Sequence, residues 1–435
     1  MSIVPSSFNH ELRTPLAAEV HSRPSLRLAG PDTLTHLAVL ARDGDGGDVQ
    51  HALLAGLCLH FGVAAPGPQA KYFFHDFGNF RLQWEAHTEF ATYTFAEQHG
   101  AALEMARAFD QVPLRHIPQE WLMGLDGKVM VAAHVLLQAG TTSLPEMRSL
   151  FGGNLLVGSA AAAGAARVWT DFAIAPDGFG RFVVEDLGLQ YQQAGRLVQR
   201  VLEIDTYRMM ALLGLPLAQQ GTPQLNAIEA DLARLSAGMG EGGGEGPDAA
   251  NDERALLHQI IALAARCEKL ALDNSYRFAA SKAYFRLVQA RIAELRETRI
   301  DGVPTVGEFM ERRLAPAMST CESVVRRQEA LAERIARTND LLRTRVGIVQ
   351  EQQNRRILES LNARAAQQLR LQQAVEGLSV VAISYYSIGL VAYAAKAMKA
   401  AGAPINADVV SGAMIPVMVG IVWLGLRRLH HSVAG

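Results

Sequence analysis

The chain has 435 residues, which at roughly 100–200 residues per domain predicts two to four domains. Apolar residues make up 49% and charged residues 19%, and the three cysteines (Cys58, Cys267, Cys321) form no CxxC pair; a disordered chain, a disulfide framework and a zinc ribbon are excluded. The net charge of −2 is uneven: residues 1–251 hold 16 Lys+Arg against 26 Asp+Glu, residues 252–376 hold 21 against 16, and residues 377–435 hold 4 against 1. An acidic first half, followed by arginines spread around long helices rather than clustered, leaves no expectation of a nucleic-acid partner.

The first thirty residues carry no apolar run of the signal-peptide kind. Asn9–Leu16 reads NHELRTPL, with His10 beside Glu11, in the pattern of the phosphoacceptor box of sensor histidine kinases. That chemistry needs a helical hairpin to present the histidine and an ATP-binding domain with its own glycine boxes. Neither pattern follows, so kinase activity is not expected.

Residues 1–188 alternate strand-like and helix-like runs. Strands are expected at Thr35–Arg42, Phe80–His87, Glu89–Ala96, Lys128–Leu137, Arg167–Ile174 and Arg181–Glu185. Helices are expected at Gln50–Phe61, Ala101–Phe109, Gln119–Leu125, Leu144–Leu150 and Leu189–Leu213. Asp76-Phe77-Gly78-Asn79 and Pro176-Asp177-Gly178-Phe179-Gly180 read as turns between paired strands. The pattern is that of an α+β (or α/β) domain with a mixed sheet, taken to span residues 1–216. Asp76-Phe77-Gly78 also matches the magnesium-binding triplet of protein kinases, but no glycine-rich loop or catalytic loop accompanies it.

The 13 histidines invite a search for metal ligands. Glu19–Pro24 is compact and polar, and His75, His87 and His99 recur every twelve residues, yet none forms an HExxH or another i,i+4 pair. No metal, cofactor or catalytic residue is expected, and no enzymatic activity. In the amphipathic Gly195–Pro216, Arg208 falls on the apolar face, so a structural ion pair with Glu203 or Asp205 is expected.

Residues 217–376 read as a helical hairpin and coiled-coil stalk. Residues 238–250, with six glycines between 238 and 246, form a flexible linker without the Lys-Ser/Thr ending of a phosphate loop. Asn251–Arg299 is a long helix, Ile300–Pro304 a turn, and Thr305–Glu376 a returning helix. Two seven-residue series mark that helix: Cys321, Gln328, Ile335, Leu342, Val349, and Val325, Ala332, Asn339, Val346, Gln353. They are expected to form a coiled-coil seam that packs against helices of the same or another subunit, an oligomer seam in the second case, with Asn339 and Gln353 as polar interruptions that could specify register or oligomer state.

Gly377–Ala395 and Val409–Leu426 carry no charge and are each long enough to cross a hydrocarbon core of about 30 Å. Lys396, Lys399 and Asp408 lie between them, and Arg427 and Arg428 follow. Residues 377–435 are therefore expected to form a two-span hairpin with a basic tail. Two spans put both ends on one side, and the missing signal-peptide run places the bulk of the chain in the cytoplasm, at the inner membrane; Arg427 and Arg428 agree with the positive-inside rule, against Lys396 and Lys399 in the loop. Ser379, Tyr386 and Tyr393, seven apart, form a stripe suited either to helix packing or to lining a pore.

Three stretches, His10–Pro24, Gly195–Ala218 and most specifically Leu342–Tyr386, resemble a bacterial family of predicted membrane-anchored proteins, domain of unknown function 3422. The resemblance runs over nearly the whole chain and implies an anchor without an assigned activity. The order of α/β domain, helical hairpin, long helix, two spans and basic tail is also similar to CorA-type magnesium channels, but their Gly-Met-Asn loop triplet is missing. The expected partners are thus the lipid bilayer and further copies of the chain in a scaffold or interaction module. A cation joins them only if the spans conduct.

Overall fold

Short runs rich in Val, Phe, Thr and Ala pair into one mixed sheet of nine strands: β1 (Asp32–Leu40), β2 (Tyr72–Asp76), β3 (Arg81–Ala86), β4 (Phe90–Gln98), β5 (Val129–Ala139), β6 (Val157–Ala161), β7 (Ala166–Thr170), β8 (Gly180–Asp186) and β9 (Thr298–Arg299). Their spatial order is β2-β3-β4-β1-β5-β8-β7-β6-β9; β5 and β8 run parallel and every other neighbouring pair antiparallel. This computed structural model describes residues 10–13, 16–17, 24–41, 46–125, 128–190, 192–241, 249–402 and 406–433. The six expected strands are present. Three were not anticipated: β2 runs into its turn, the small residues of β6 lack β-branched character, and β9 has only two residues.

The helices are α1 (Gly46–His60), α2 (Gln119–Met123), α3 (Leu144–Leu150), α4 (Gln193–Leu212), α5 (Gly214–Glu241), α6 (Ala249–Leu295), α7 (Val306–Arg313), α8 (Ala315–Ala400) and α9 (Ala407–Val433). Instead of the helix expected at Ala101–Phe109 there is a 3-10 turn over Met105–Asp110. The single helix expected from Thr305 breaks at Leu314, and Pro316 sits in the first turn of α8, where its missing N–H costs no hydrogen bond. Helix α8 then continues without interruption into the first apolar segment.

The chain divides into two units, Met1–Met239 with Ile260–Arg337, and Gly240–Gln259 with Thr338–Gly435. The boundary expected after residue 216 falls inside α5, so the sheet and the first part of the helical region belong to one unit. Within that unit one face of the sheet is apolar. Leu37, Leu82, Trp84, Tyr93 and Phe95 pack with Leu54 and Leu57 of α1, and further along Leu136, Trp169 and Val183 pack with Met147 of α3. Gly158 makes room for the Trp169 ring: a Cβ there would lie 2.5 Å from it.

Helix α4 covers the opposite face. It approaches so closely that a Cβ on Gly195 would sit 1.8 Å from the Leu26 carbonyl oxygen. Beyond it α5, α6 and α8 form a bundle. Leu225 and Ile228 of α5, Leu263 and Cys267 of α6, and Val324 and Leu331 of α8 are buried. Arg327 donates to Glu229 at 2.9 Å, and Arg266 to Asp231 at 2.7 Å. The turn between α6 and α7 is fastened to the sheet. Strand β9 pairs with β6, Ser159 Oγ donates to Glu297 at 2.7 Å and accepts from Val306 N, and Glu297 accepts from Gly307 N.

The first of the two series packs largely within the chain, and the second is displaced. Cys321, Gln328 and Ile335 are buried inside a single chain, as is Leu342 in the second unit, while Val349 is half-buried. The companion row falls one residue earlier than expected, on Val324 and Leu331; Ala332 is exposed, and Val325, Asn339 and Val346 are only half-buried. Positions three and four residues after an inward side chain lie on the same helix face, and both rows hold apolar residues, so spacing alone did not choose between them. In the second unit Arg345 donates to buried Glu253 at 2.8 Å. The Leu331→Asp substitution should therefore lower stability by about 3 kcal/mol or more, whereas Ala332→Asp should change it by less than about 0.5 kcal/mol. Denaturant unfolding of the two variants checks the register; equal losses would refute it.

Candidate functional site

Alternation along the strands puts His36 of β1, Gln83 and Glu85 of β3, and Thr92 and Thr94 of β4 on the face beneath α4; Glu85 sits opposite Thr92, and Gln83 opposite Thr94. Such a polar face would ordinarily meet water. Here α4 lies over it and adds Gln199, Glu203, Thr206 and Tyr207. The result is an inner cavity of about 40 Å³, with Leu34, Phe90, Val198 and Leu202 as its apolar walls. A wider outer cavity of about 430 Å³ adjoins it, sharing His87 and Tyr207 and lined also by Trp84, Lys71 and Tyr284.

The polar groups of this cleft are closely held. His36 is hydrogen bonded on both ring nitrogens, to Thr94 Oγ1 at 2.8 Å and to Thr206 Oγ1 at 3.1 Å. Burial, and then the neighbouring His87, push its pKa down to about 3. Gln83 Nε2 donates to Glu85 Oε1 at 2.5 Å, and Gln83 Oε1 is buried without a partner. Glu85 also lies 3.8 Å from His87. After burial, its charge is the second cause holding the Tyr72 phenol up, at about 12. Glu203 accepts from Gln199 at 3.0 Å and from Arg291, which stands outside the inner cavity.

A family model described as "Protein of unknown function (DUF3422)" matches residues 8–433. The chain belongs to the DUF3422 family. No curated relative matches it. The DUF3422 match runs through the sheet, the bundle and both apolar helices, so the cleft and the C-terminal segments lie in one family architecture.

Among the described residues of this DUF3422 chain, two helices are long and apolar enough to cross a membrane. Their apolar windows have mean hydropathies of 1.6 (within Val306–Ala400) and 1.7 (Asp408–Gly425), with 11% and 0% of those windows buried. Ser379 is half-buried and donates to Val375 O at 2.9 Å, while Tyr386 and Tyr393 are 72% and 76% exposed. The buried positions of this segment, Ser384 and Ala395, fall on the other side of the helix. The expected stripe thus faces away from the buried side of its own chain.

The tempting motifs separate in space. His10 is exposed and accepts from Leu12 N at 3.1 Å; Glu19–Arg23 lie outside the described residues. Asp76 Oδ1 accepts from Gly78 N at 2.9 Å in the β2–β3 turn. His75 packs edge-on against Phe77, His99 bonds Thr33, and His87 lines the cleft; among the described residues no three potential ligands converge on a metal site. Arg208 donates to Asp205 at 2.7 Å and lies over the Phe172 ring, an ion pair within the packed interior.

Two buried histidines contribute to the acid response. His36 titrates at about 3, and His134 at about 4, the latter chiefly through burial, with Asp177 opposing and Arg181 assisting the drop. The ordinary value of 6.5 applies to the unfolded chain. Between 6.5 and these folded-state values the unfolded chain binds more protons, so the stabilisation is present above about pH 6.5 and is lost as the pH falls, by up to about 1.4 kcal/mol per pH unit per histidine. Unfolding measured from pH 7 to 4 should show this loss, and His36→Gln should flatten it by close to one proton; an unchanged slope would contradict the assignment.

Proposed function

We propose that the chain is a membrane-anchored protein whose C-terminal hairpin holds an α+β and helical body at the cytoplasmic face of the inner membrane, where copies associate into an interaction module. The observation that carries the anchor is exposure. Leu378, Val381, Leu390, Val409, Ile421 and Trp423 are each more than half exposed although they lie in apolar helices. A core helix would hide such side chains, and bilayer lipid covers them at no cost in unpaired backbone groups.

Self-association is supported by residues 350–375 of α8. They are exposed on every side, yet they carry Ile357, Leu358, Leu361, Leu369, Leu371 and Val375. The seam upstream is occupied by the chain's own helices, which leaves this stretch to meet a second copy. A shared membrane fixes the copies in parallel orientation, the arrangement in which such helices pair in register.

The full chain should stay in the membrane pellet after alkaline carbonate extraction, and a reporter fused after Gly435 should read cytoplasmic. Release into the supernatant or a periplasmic reporter would overturn the anchor. Leu358→Asp with Leu361→Asp should reduce the assembly to monomers in detergent with little change in unfolding temperature; an unaltered oligomer would place the contact elsewhere. If instead the spans conduct, liposomes carrying the protein will pass cations, and changes at Ser379, Tyr386 or Tyr393 will alter the flux.

A further inference from the structure

Helix α6 has two apolar sides. Leu263, Cys267, Leu270 and Phe278 are buried on the side that packs into the bundle. In a bundle helix the opposite side ordinarily carries charged and polar residues. Here that side carries Ile261, Leu272, Tyr276 and Leu287, which are 47%, 68%, 61% and 37% exposed. Ala265 and Ala283 lie in the same row and are exposed as well. The row runs roughly 39 Å along the helix at 1.5 Å per residue.

Its spacing limits what can cover it. Ile261, Leu272 and Ala283 recur every 11 residues in one line, and Ala265, Tyr276 and Leu287 in the other. An 11-residue repeat follows a nearly straight helix that winds slightly right-handed. A partner helix stays against such a row over its whole length only if it has the same repeat. The seven-residue series of α8 winds the other way. A second α6 has the repeat by identity, and the alternation of large side chains with alanine lets two such helices approach closely.

The flanking charges select the orientation. Glu268 and Lys269 stand at nearly the same height on opposite sides of the row. Both are exposed, and neither makes an ion pair within the chain among the described residues. Two parallel helices related by a two-fold axis set unlike flanks against each other. Glu268 of each copy then meets Lys269 of the other. Antiparallel helices set like flanks together and lose both pairs.

We propose that α6 packs side by side and in parallel with α6 of a second copy, with Leu272 and Tyr276 at the centre and Glu268 facing Lys269 on each side. The contact rests on the association of copies proposed above. It closes once the α8 segment holds two chains together, which raises the effective concentration of one α6 at the other.

The three native cysteines are buried, so a cysteine placed on this row is the accessible thiol. The test oxidises the full-length Leu272→Cys chain in detergent with copper phenanthroline and reads the disulfide dimer on a non-reducing gel. The dimer should form. Asp273→Cys, about a quarter-turn off the row, should give at most about one-fifth as much. Adding Glu268→Lys to Leu272→Cys should cut the linked fraction at least about twofold, and adding Lys269→Glu as well should restore it. All four positions are exposed, so the variants keep the core intact. A chain that is monomeric in detergent by light scattering would overturn the association of copies and this contact with it. An oligomer that does not cross-link through Leu272→Cys, cross-links equally through Asp273→Cys, or is not restored by the charge exchange would overturn this contact alone.

Discussion

Helix α4 lies across a strand face that carries histidine, glutamine, glutamate and threonine, and the arrangement of the sheet-bearing unit follows from that closure. Once the helix is in place those groups lose water, so most find partners within the protein, and one left without, such as Gln83 Oε1, is costly. His36 bridges Thr94 and Thr206, joining β4 to α4 through an uncharged imidazole. Glu203 looks outward to Arg291 of α6 and binds the helix layer to the bundle behind it. The contact requires the glycine at 195, because no larger residue lets α4 approach the Leu26 carbonyl. One face of the sheet is thus held by hydrocarbon and the other by hydrogen bonds. The second face leaves a polar space between its layers, the inner cavity beneath α4.

The long helix α8 changes role along its length. Up to Arg337 it is one member of a three-helix bundle, with its apolar row spent on α5 and α6. From residue 350 to 375 its apolar residues have no intrachain cover, and from Gly377 onward its composition becomes that of a membrane segment. Coiled-coil periodicity marks the whole helix, but periodicity reports only that one side wants to be dry. Whether that side is met by the same chain, by another copy or by lipid depends on what lies alongside.

Much of this was legible in the residues. Six of the nine strands, the turns at Asp76–Asn79 and Pro176–Gly180, the continuous helix into the first apolar segment and the second apolar helix all announce themselves by alternation, turn residues or unbroken hydropathy. The cleft did not. In RLQWEA and FATYTFAEQ one row of side chains is apolar and the other polar, the pattern of a sheet with one wet face. Its drying is a tertiary event, caused by a helix about a hundred residues further on, and no local spacing records it. His87 was noticed for its distance from His75 and His99, whereas its relevant neighbours, Glu85 and Tyr207, come from strand alternation and from α4. The companion row of the seam escaped for a different reason: Val324 and Val325 are chemically identical candidates, and only packing distinguishes them.

The two-residue strand β9 has a consequence for how copies of the chain can meet. A sheet edge with unpaired N–H and C=O groups recruits strands from other molecules, and β6 would be such an edge if the α6–α7 turn did not cap it. Glu297 locks that cap by bonding Ser159 of β6 and the first turn of α7 together. Capping this side withdraws the β6 edge from edge-to-edge pairing, so this small turn acts as a guard against aggregation.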